Sequence, residues 1–405
     1  MSDQADRRIL TINTGSSSLK IGLYEMDRGV TRILSSESER IGASGGRQYF
    51  ADTNEKMLCD QKVDFPDHGT ALQAALAWLR NQRPELTFNA VGHRIVQGGR
   101  DNREPRRITS ELIATLQGLI PIAPDHLPQS IQLIQIVTQF NPGLPQVACF
   151  DTAFHQNMPR IAQRYPLPRR LMDGGVIRYG FHGLSCEYIM QKLHTLAPQE
   201  AAGRIIIAHL GNGASMTAVR NGKSVDTTMG FTPAGGLMMG TRSGDIDPGV
   251  LLYLLSERRM TSTELNEAIN RQAGLLGVSG ISSDMRDLLE RESFERQAAE
   301  AVELFCYQAK KYLGALAASL GGLDALIFTG GIGEHAAPVR WRIGTGLEFL
   351  GVKLDSQLNA GHASVISRKT SPVSVRVLRT DEDLMIAQHT HHLLESSSPA
   401  SASDQ

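Results

Sequence analysis

Residues 9–24 read ILTINTGSSSLKIGLY, an apolar strand followed by a Gly/Ser turn and a second, alternating strand. Residues 205–219 read IIIAHLGNGASMTAV and repeat this design roughly half a chain later. Apolar strands on both sides of a glycine-rich turn are typical of a β-hairpin. The repeat predicts an internal duplication of one α/β domain, whereas the alternative is two independent hairpins of similar composition.

Further helices and strands are predicted around these hairpins. Helical periodicity covers residues 70–81, 108–119, 265–273 and 294–319, a short apolar strand covers 323–329, and a last helix covers about 381–394. Prolines at positions 121, 124 and 128 predict a loop. The Ser/Ala-rich end, residues 396–405, is expected to be disordered.

Length and composition favour a soluble protein with two or three domains. The 405 residues exceed what one ordinary core accommodates, and 41% hydrophobic with 20% charged residues is a globular composition. A net charge of -1 without a basic block argues against nucleic acid or a membrane surface as partner. No apolar run reaches the ~18 residues of a membrane helix, and the polar start lacks a signal core, so we expect a cytoplasmic protein.

The four cysteines are far apart and form no CxxC pair. They are Cys59, Cys149, Cys186 and Cys306. This spacing predicts reduced thiols in or near a core and not a zinc site.

Three glycine-rich turns follow strands, at residues 13–18, 211–215 and 330–334. Backbone N–H groups in such turns can approach phosphate oxygens closely. No GxxxxGK[ST] loop occurs, and no GxGxxG opens a helix. A single turn of this kind is more often an ordinary hairpin, but three at strand ends indicate a nucleotide-handling kinase.

Cationic side chains stand between glycines at three places. Residues 240–248 read GTRSGDIDP and hold Arg242, residues 91–99 hold His93 and Arg94, and residues 179–183 hold His182. A lone arginine is usually a surface ion pair or part of a turn, and a lone histidine is usually a satisfied core residue. Tight loops with glycine on both sides favour the alternative, in which these groups grip a carboxylate or phosphate.

Asp151 follows an apolar stretch, in residues 150–155. Its carboxylate is suited either to a metal-bound water or to capping the turn that follows.

On these motifs the chain resembles the acetate kinase family, which comprises acetate and propionate kinases within the actin/sugar-kinase/Hsp70 superfamily. The resemblance runs from Ile9 to about Leu394. It rests on residues 13–20, 150–155, 179–183, 209–215, 240–248 and 330–334, in that order. It implies an α/β fold of two duplicated ribonuclease-H-like, actin-like ATPase domains with a cleft between them. It also implies reversible transfer of the γ-phosphoryl of ATP to a short carboxylate such as acetate.

The resemblance implies domain boundaries and ligands as well. Residues 1–150 with 384–405 would form the N-terminal domain, and residues 151–383 the nucleotide-binding C-terminal domain. The expected ligands are ATP or ADP, a short-chain carboxylate and Mg²⁺, with Mn²⁺ as an alternative ion. A homodimer is expected, without nucleic acid or membrane. The alternatives are a propionate- or butyrate-type kinase, and a non-catalytic nucleotide-binding protein of the actin-like type.

Site residues follow from the resemblance position by position. The catalytic set is Asp151 beside the metal, His182 as a hydrogen-bond donor to the phosphoryl group, and Arg242 on the carboxylate and phosphoryl. The substrate-binding set is Arg94, Val96, Phe181 and Pro233, and the metal would be held by Asn13 and Glu382. The ATP-binding set is Lys20, His209, Leu210, Gly211, Asn212, Gly213, Asp284, Met285, Arg286, Gly330, Gly331, Ile332, Gly333 and Glu334.

Three positions depart from the family's pattern. Asp125 stands where a pocket-forming leucine is usual, and a buried unpaired carboxylate would be costly in an apolar pocket. Gln97 stands where histidine is usual, and His335 where asparagine is usual. We therefore expect either that Asp125 points away or that the pocket accepts something other than plain acetate, and His335 leaves the nucleotide preference open.

Overall fold

The computed structural model describes residues 7–27 and 29–396, and the chain divides into two compact units. The first unit contains the residues up to Ala153 and those from Asp381 onward, and the second is Phe154–Thr380. Asp151 and Glu382 therefore lie in the first unit, although the sequence-based boundaries place both in the second domain. Of the end expected to be disordered, residues 397–405 lie outside the described part of the chain.

The first unit is rich in strands, and the second is rich in helices. Up to Ala153 the elements are β1 (Arg8–Thr14), β2 (Ser18–Glu25), β3 (Thr31–Glu39), β4 (Arg47–Asp52), β5 (Met57–Lys62), α1 (His68–Gln82), β6 (Ala90–Ile95), β7 (Arg106–Arg107), α2 (Ser110–Gly118), α3 (Leu127–Phe140) and β8 (Gln146–Phe150). The second unit contains α4 (Arg160–Gln163), α5 (Arg169–Asp173), α6 (Gly183–Leu196), α7 (Pro198–Ala201), β9 (Arg204–Leu210), β10 (Ala214–Arg220), β11 (Lys223–Thr227), α8 (Pro248–Ser256), α9 (Ser262–Asn270), α10 (Gly274–Ser279), α11 (Met285–Arg291), α12 (Arg296–Leu320), β12 (Ala325–Thr329), α13 (Gly330–His335), α14 (Ala337–Gly344), α15 (Ser356–Ala360) and β13 (Ser374–Val377). The returning segment forms α16 (Glu382–Ser396).

The two sheets share one five-strand pattern. The first sheet has the order β5-β4-β3-β2-β1-β6-β8-β7, and the second has the order β11-β10-β9-β12-β13. From β3 to β8, successive neighbours are antiparallel, antiparallel, parallel and parallel. The second sheet has the same succession from β11 to β13. Both predicted hairpins occupy equivalent places in this pattern, which supports the predicted duplication.

The core of the first unit lies between its sheet and helices α1 and α3. Leu10 and Ile21 on the sheet and Leu72 and Leu76 on α1 belong to one buried cluster. Helix α16 packs against β1 and β6. A Cβ on Gly92 would lie 2.5 Å from Ile386 Cγ2, so glycine at this position lets α16 approach the sheet closely.

The core of the second unit forms around the apolar run of β9. Ile205 and Ile207 pack with Ile189 and Leu193 of α6 in a buried cluster. The strand is buried on both faces, as expected for a strand flanked by a parallel neighbour. The 25-residue α12, predicted over 294–319, also packs against this sheet.

Among the described residues, no helix combines the length and apolar character needed to span a bilayer. All four cysteines are free thiols, three of them buried, as the spacing predicts.

Candidate active site

The first group of predicted site residues gathers at one edge of the first unit's sheet. Asn13 is near the end of β1, Arg94 near the end of β6, and Asp151 directly after β8. These three strands are parallel neighbours, so their carboxyl ends share an edge, where ligands bind in open α/β sheets. Glu382 opens α16 and contributes the fourth member.

Arg94 is the centre of this group. Its guanidinium donates to Asp151 Oδ2 with an Nη2–Oδ2 distance of 2.5 Å and to Asn13 Oδ1 at 3.2 Å. Asn13 Nδ2 in turn donates to Glu382 Oε2 at 3.0 Å. The Arg94 side chain is only 12% exposed and that of Asp151 is fully buried. Burial alone would lower the pKa of Arg94, but the carboxylates of Asp151 and Glu382 raise it, so the cation persists.

Asp151 therefore holds a buried cation and does not act as a simple turn cap. Its carboxylate accepts from both Nε and Nη2 of Arg94, a geometry that fixes the plane of the guanidinium. Removing one partner of such a buried pair leaves an uncompensated charge, which is strongly unfavourable.

Asp383 joins the same group, and sequence reasoning missed it. Burial and the neighbouring Asp381 raise the pKa of Asp383 to about 6, and its Oδ1 is buried without a hydrogen-bond partner. The side chain of Asn13 also hydrogen-bonds to Asp383. The available signal was the run of three acids from Asp381 at the start of a helix, which also fits ordinary N-terminal acids.

The second group lies in the second unit and begins with a strained histidine. His182 precedes α6 and has φ 58° and ψ 29°, in the left-handed region that residues other than glycine rarely adopt. The neighbouring carbonyl of Phe181 lies 2.8 Å from Nε2 of buried His155, whose Nδ1 is 3.0 Å from Ser224 Oγ. Such strain persists where the surroundings over-determine it, and it clusters at functional sites.

His182 stacks on His209. The two ring centroids are 4.2 Å apart, with 27° between the ring planes. His182 Nδ1 lies 2.9 Å from Ser215 Oγ, and His209 Nδ1 lies 2.8 Å from Ser185 Oγ. A serine hydroxyl thus fixes one nitrogen of each ring.

Arg242 approaches the same place. A Cβ built on Gly213 would lie 3.3 Å from His182 Nε2 and 3.8 Å from Arg242 Nη1, so the side chains of His182 and Arg242 both approach this glycine. Arg242 Nη1 also donates to the carbonyl of Pro233 at 3.0 Å. The loop of Arg242 is tied to the hairpin turn, since Gly240 N–H donates to Asn212 O at 3.0 Å. This arrangement favours an anion clamp over an ordinary surface turn.

The two glycine-rich turns of the second unit meet. A Cβ on Gly211 would lie 3.9 Å from Gly331 N, and one on Gly330 would lie 2.7 Å from Leu210 O. Gly330 has φ +77°, which glycine adopts without strain. Residues 330–334 form most of α13, whereas the sequence predicts a turn, because glycines weigh against a helix.

Some predicted ATP-binding side chains face the protein itself. Glu334 Oε1 accepts from Gly330 N at 3.0 Å and from Thr380 N at 3.3 Å, so this carboxylate is hydrogen-bonded to backbone N–H groups of the protein. The side chain of Met285 is buried, while Asp284 caps α11 by accepting from the backbone N–H of Arg286 at 2.8 Å.

The remaining predicted residues are divided between the units. Lys20, on β2, is half-exposed and lies 3.8 Å from Glu37 Oε1. Val96 belongs to the first unit, and Phe181 and Pro233 belong to the second. Ile332 and Gly333 lie within α13.

The three departures from the family pattern have different surroundings. Asp125 is half-buried in the turn before α3. Gln97 is fully buried, and its Oε1 accepts from Gly99 N at 2.9 Å. The side chain of His335 is 81% exposed, with its Nε2 4.0 Å from Glu334 Oε2.

Comparison with known proteins supplies the family. Residues 8–388 match the model of the acetokinase family. The chain belongs to the acetokinase family. It is 46% identical over 393 residues to the acetate kinase of Rhodopseudomonas palustris, covering 96% of this chain and 98% of that one.

Two solved structures of the family resemble this one closely. The crystal structure of Porphyromonas gingivalis acetate kinase is 40% identical, with a TM-score of 0.84, covering 96% of this chain and 100% of that chain. A propionate kinase from Francisella tularensis is 36% identical, with a TM-score of 0.87, covering 95% and 99%. The sequence-based predictions of the family, of a kinase with a carboxylate acceptor, and of the α/β, actin-like ATPase fold class are confirmed. The role of each site residue stays a prediction.

Proposed function

We propose that this member of the acetokinase family phosphorylates acetate, or a similar short carboxylate, with ATP. The carboxylate oxygen attacks the γ-phosphorus as the bond to the ADP oxygen breaks, giving acyl phosphate and ADP in a reversible step. The observation that carries this proposal is the approach of His182 Nε2 and Arg242 Nη1 to Gly213, on which a Cβ would lie 3.3 Å and 3.8 Å from these atoms.

The chemistry calls for cations and not for a general base. A carboxylate with a pKa near about 4–5 is already ionised at neutral pH. The obstacle is the repulsion between this anion and the γ-phosphate, which Arg94, Arg242 and a hydrogen bond from His182 reduce in the transition state. Arg94 suits this role because its charge persists on burial.

The residues of the first group also fit a magnesium ion. Asn13 and Glu382 would hold it, and it would neutralise charge on the phosphates. The buried oxygen of Asp383, with a raised pKa, marks an excess of negative charge that a cation would offset. Among residues 7–27 and 29–396, no three His, Cys, Asp or Glu side chains converge as a metal site. Mg²⁺ needs no such cage, because it usually takes one or two carboxylates together with substrate phosphates.

The acyl group is tested by activity with a substrate series. The hydroxamate assay, which traps acyl phosphate, is run with ATP, Mg²⁺ and acetate, propionate, butyrate or glycolate. We expect acetate to give the highest kcat/KM among the unsubstituted acids. If kcat/KM for propionate or butyrate exceeded that for acetate, the propionate- or butyrate-type kinase would be favoured. If kcat/KM for glycolate exceeded that for acetate, Asp125 would be implicated in the pocket. No activity with any acid would favour a non-catalytic nucleotide-binding protein.

We infer a homodimer from helix α8. None of the described residues of α8 is buried. Its exposed apolar side chains are Val250, Leu252, Tyr253 and Leu255. A contiguous exposed apolar face of this kind marks an interaction surface. Light scattering should give twice the mass of one chain, and Leu252→Glu should give a monomer. Phe294→Glu, at an exposed apolar residue outside α8, is the control and should stay dimeric. A monomeric wild type would contradict the inference.

A cytoplasmic location stays a prediction. Its support is the four free thiols, which are typical of a reducing compartment.

A further inference from the structure

A line of hydrogen bonds within the second unit joins the histidine pair to the turn of Gly330. His209 Nδ1 lies 2.8 Å from Ser185 Oγ, and Thr380 Oγ1 donates to Ser185 Oγ over 2.9 Å. The backbone N–H of Thr380 donates to Glu334 Oε1 over 3.3 Å. The same oxygen accepts from the backbone N–H of Gly330. Both ends of the line are therefore segments that the sequence assigns to ATP.

The polarity of this line follows from counting protons. A hydroxyl group has one proton to donate. Because Thr380 Oγ1 donates to Ser185 Oγ, the serine proton is available to His209 Nδ1. A neutral imidazole whose Nδ1 accepts carries its proton on Nε2. Donation from Ser185 Oγ to His209 Nδ1 would select the Nε2–H tautomer of His209.

This tautomer matters for a phosphate ligand. Phosphate oxygens are acceptors, so a ring that presents Nε2–H attracts them, while a ring that presents a lone pair repels them. Protonating the ring fully would also supply a donor. However, the ring of His182 stacks on that of His209 at 4.2 Å, so the two rings would repel each other if both were protonated.

We propose that Ser185 and Thr380 are positioning residues that hold His209 as a neutral Nε2–H donor to a phosphate oxygen of ATP. The proposal rests on the proposed function, which names ATP as the ligand.

Three single variants and one double variant test whether the hydroxyl proton matters independently of the shape of the side chain. Thr380→Val keeps the shape and loses the donor, and we expect kcat/KM for ATP to fall about five- to tenfold, the size of one hydrogen bond. KM for acetate should not change. Thr380→Ser restores the donor and should recover most of the loss. Ser185→Ala should resemble Thr380→Val, and the double variant should lose little more, because both residues act through one line.

Thr195→Val is the matched control. Thr195 lies on α6 like Ser185, and its hydroxyl donates to Gln191 O of the same helix. Its activity should equal that of the wild type.

The ring nitrogens of His209 give a readout that does not depend on turnover. In ¹⁵N NMR spectra of the protein without substrate, assigned with His209→Gln, we expect the Nε2–H tautomer in the wild type and a growing Nδ1–H fraction in Thr380→Val. A wild-type ring protonated on Nδ1, or unchanged ring and kcat/KM for ATP in Thr380→Val, would overturn the proposal. An inactive wild type with the expected tautomer would instead count against the proposed function alone.

Discussion

At the scale of single residues, buried polar contacts hold the predicted site residues in place. Arg94 is fixed by Asp151 and Asn13, and the backbone beside His182 is fixed by His155. Arg94 and Asp151 could be predicted from their motifs. Asp383, Ser185 and Thr380 could not, because their hydrogen-bond partners are distant in sequence and only the fold brings them together.

His155 predicts a pH dependence of stability. Burial lowers the pKa of His155 to about 4, against about 6.5 in an unfolded chain. Between these values the unfolded state binds a proton that the folded state does not, so the free energy of unfolding falls as the pH falls from about 6.5 to about 4. For this one group the loss is at most ~3 kcal/mol.

Urea unfolding of the wild type and His155→Gln across this pH range measures the effect. The free energy of unfolding should depend less steeply on pH in the variant, by close to the contribution of one bound proton, because glutamine does not titrate. Asp383 acts in the opposite sense in both proteins, since its raised pKa makes its contribution decrease as the pH rises through about 4 to 6. Equal slopes in the two proteins would contradict the assignment to His155.

At the scale of elements, periodicity predicted both hairpins and helices α1, α2, α9, α12 and α16, but not α3 or α6. Pro128, expected in a loop, lies in the first turn of α3, where proline is tolerated. Local chemistry decided where the predicted helices begin. Helix α9 begins at Ser262 because Thr261 and Glu264 form a capping box, whereas the apolar pattern alone places the start at 265. Helix α2 begins after Thr109, whose hydroxyl accepts from Leu112 N. Helix α13 was missed because its stability comes from Glu334 and from a buried arginine, not from its glycines.

Arg340 is that arginine, and it predicts a coupling between stability and ATP binding. It is fully buried and donates to the carbonyls of Gly333 and Glu334, each at 2.9 Å, and to Asn359. Burial lowers its pKa to about 10. Arg340→Met leaves these acceptors unpaired, so we expect a loss of about 3 kcal/mol in the free energy of unfolding and a higher KM for ATP.

Arg342→Met on the same helix is the control. Arg342 forms a partly exposed ion pair with Glu292, so its loss should cost less than about 1 kcal/mol. Urea unfolding and the KM values for ATP and acetate measure both effects. If Arg340→Met raised KM for acetate and left that for ATP unchanged, α13 would not be the ATP-binding element.

At the scale of the whole molecule, the duplication places predicted site residues in both units. The shared strand pattern places Arg94 and Asn13 at the ends of strands in the first sheet, and His209 at the end of β9 in the second. The chain passes between units after Ala153 and after Thr380, close in sequence to Asp151 and Glu382. The repeat of hairpins indicated this duplication. The two boundaries between the units could not be located from the sequence, because no change in composition marks them.

The central claim is that Arg242 stabilises the phosphoryl group in flight to a carboxylate, and its most direct test is kcat for acetate phosphorylation in Arg242→Ala. Arginines in this role are worth about 10³–10⁵ in rate, so we predict that kcat falls at least about a thousandfold while circular dichroism and the unfolding midpoint stay close to the wild type. Arg271→Ala, which removes an exposed ion pair with Glu267, is the control and should keep full activity. Turnover of folded Arg242→Ala near that of the wild type would contradict the account.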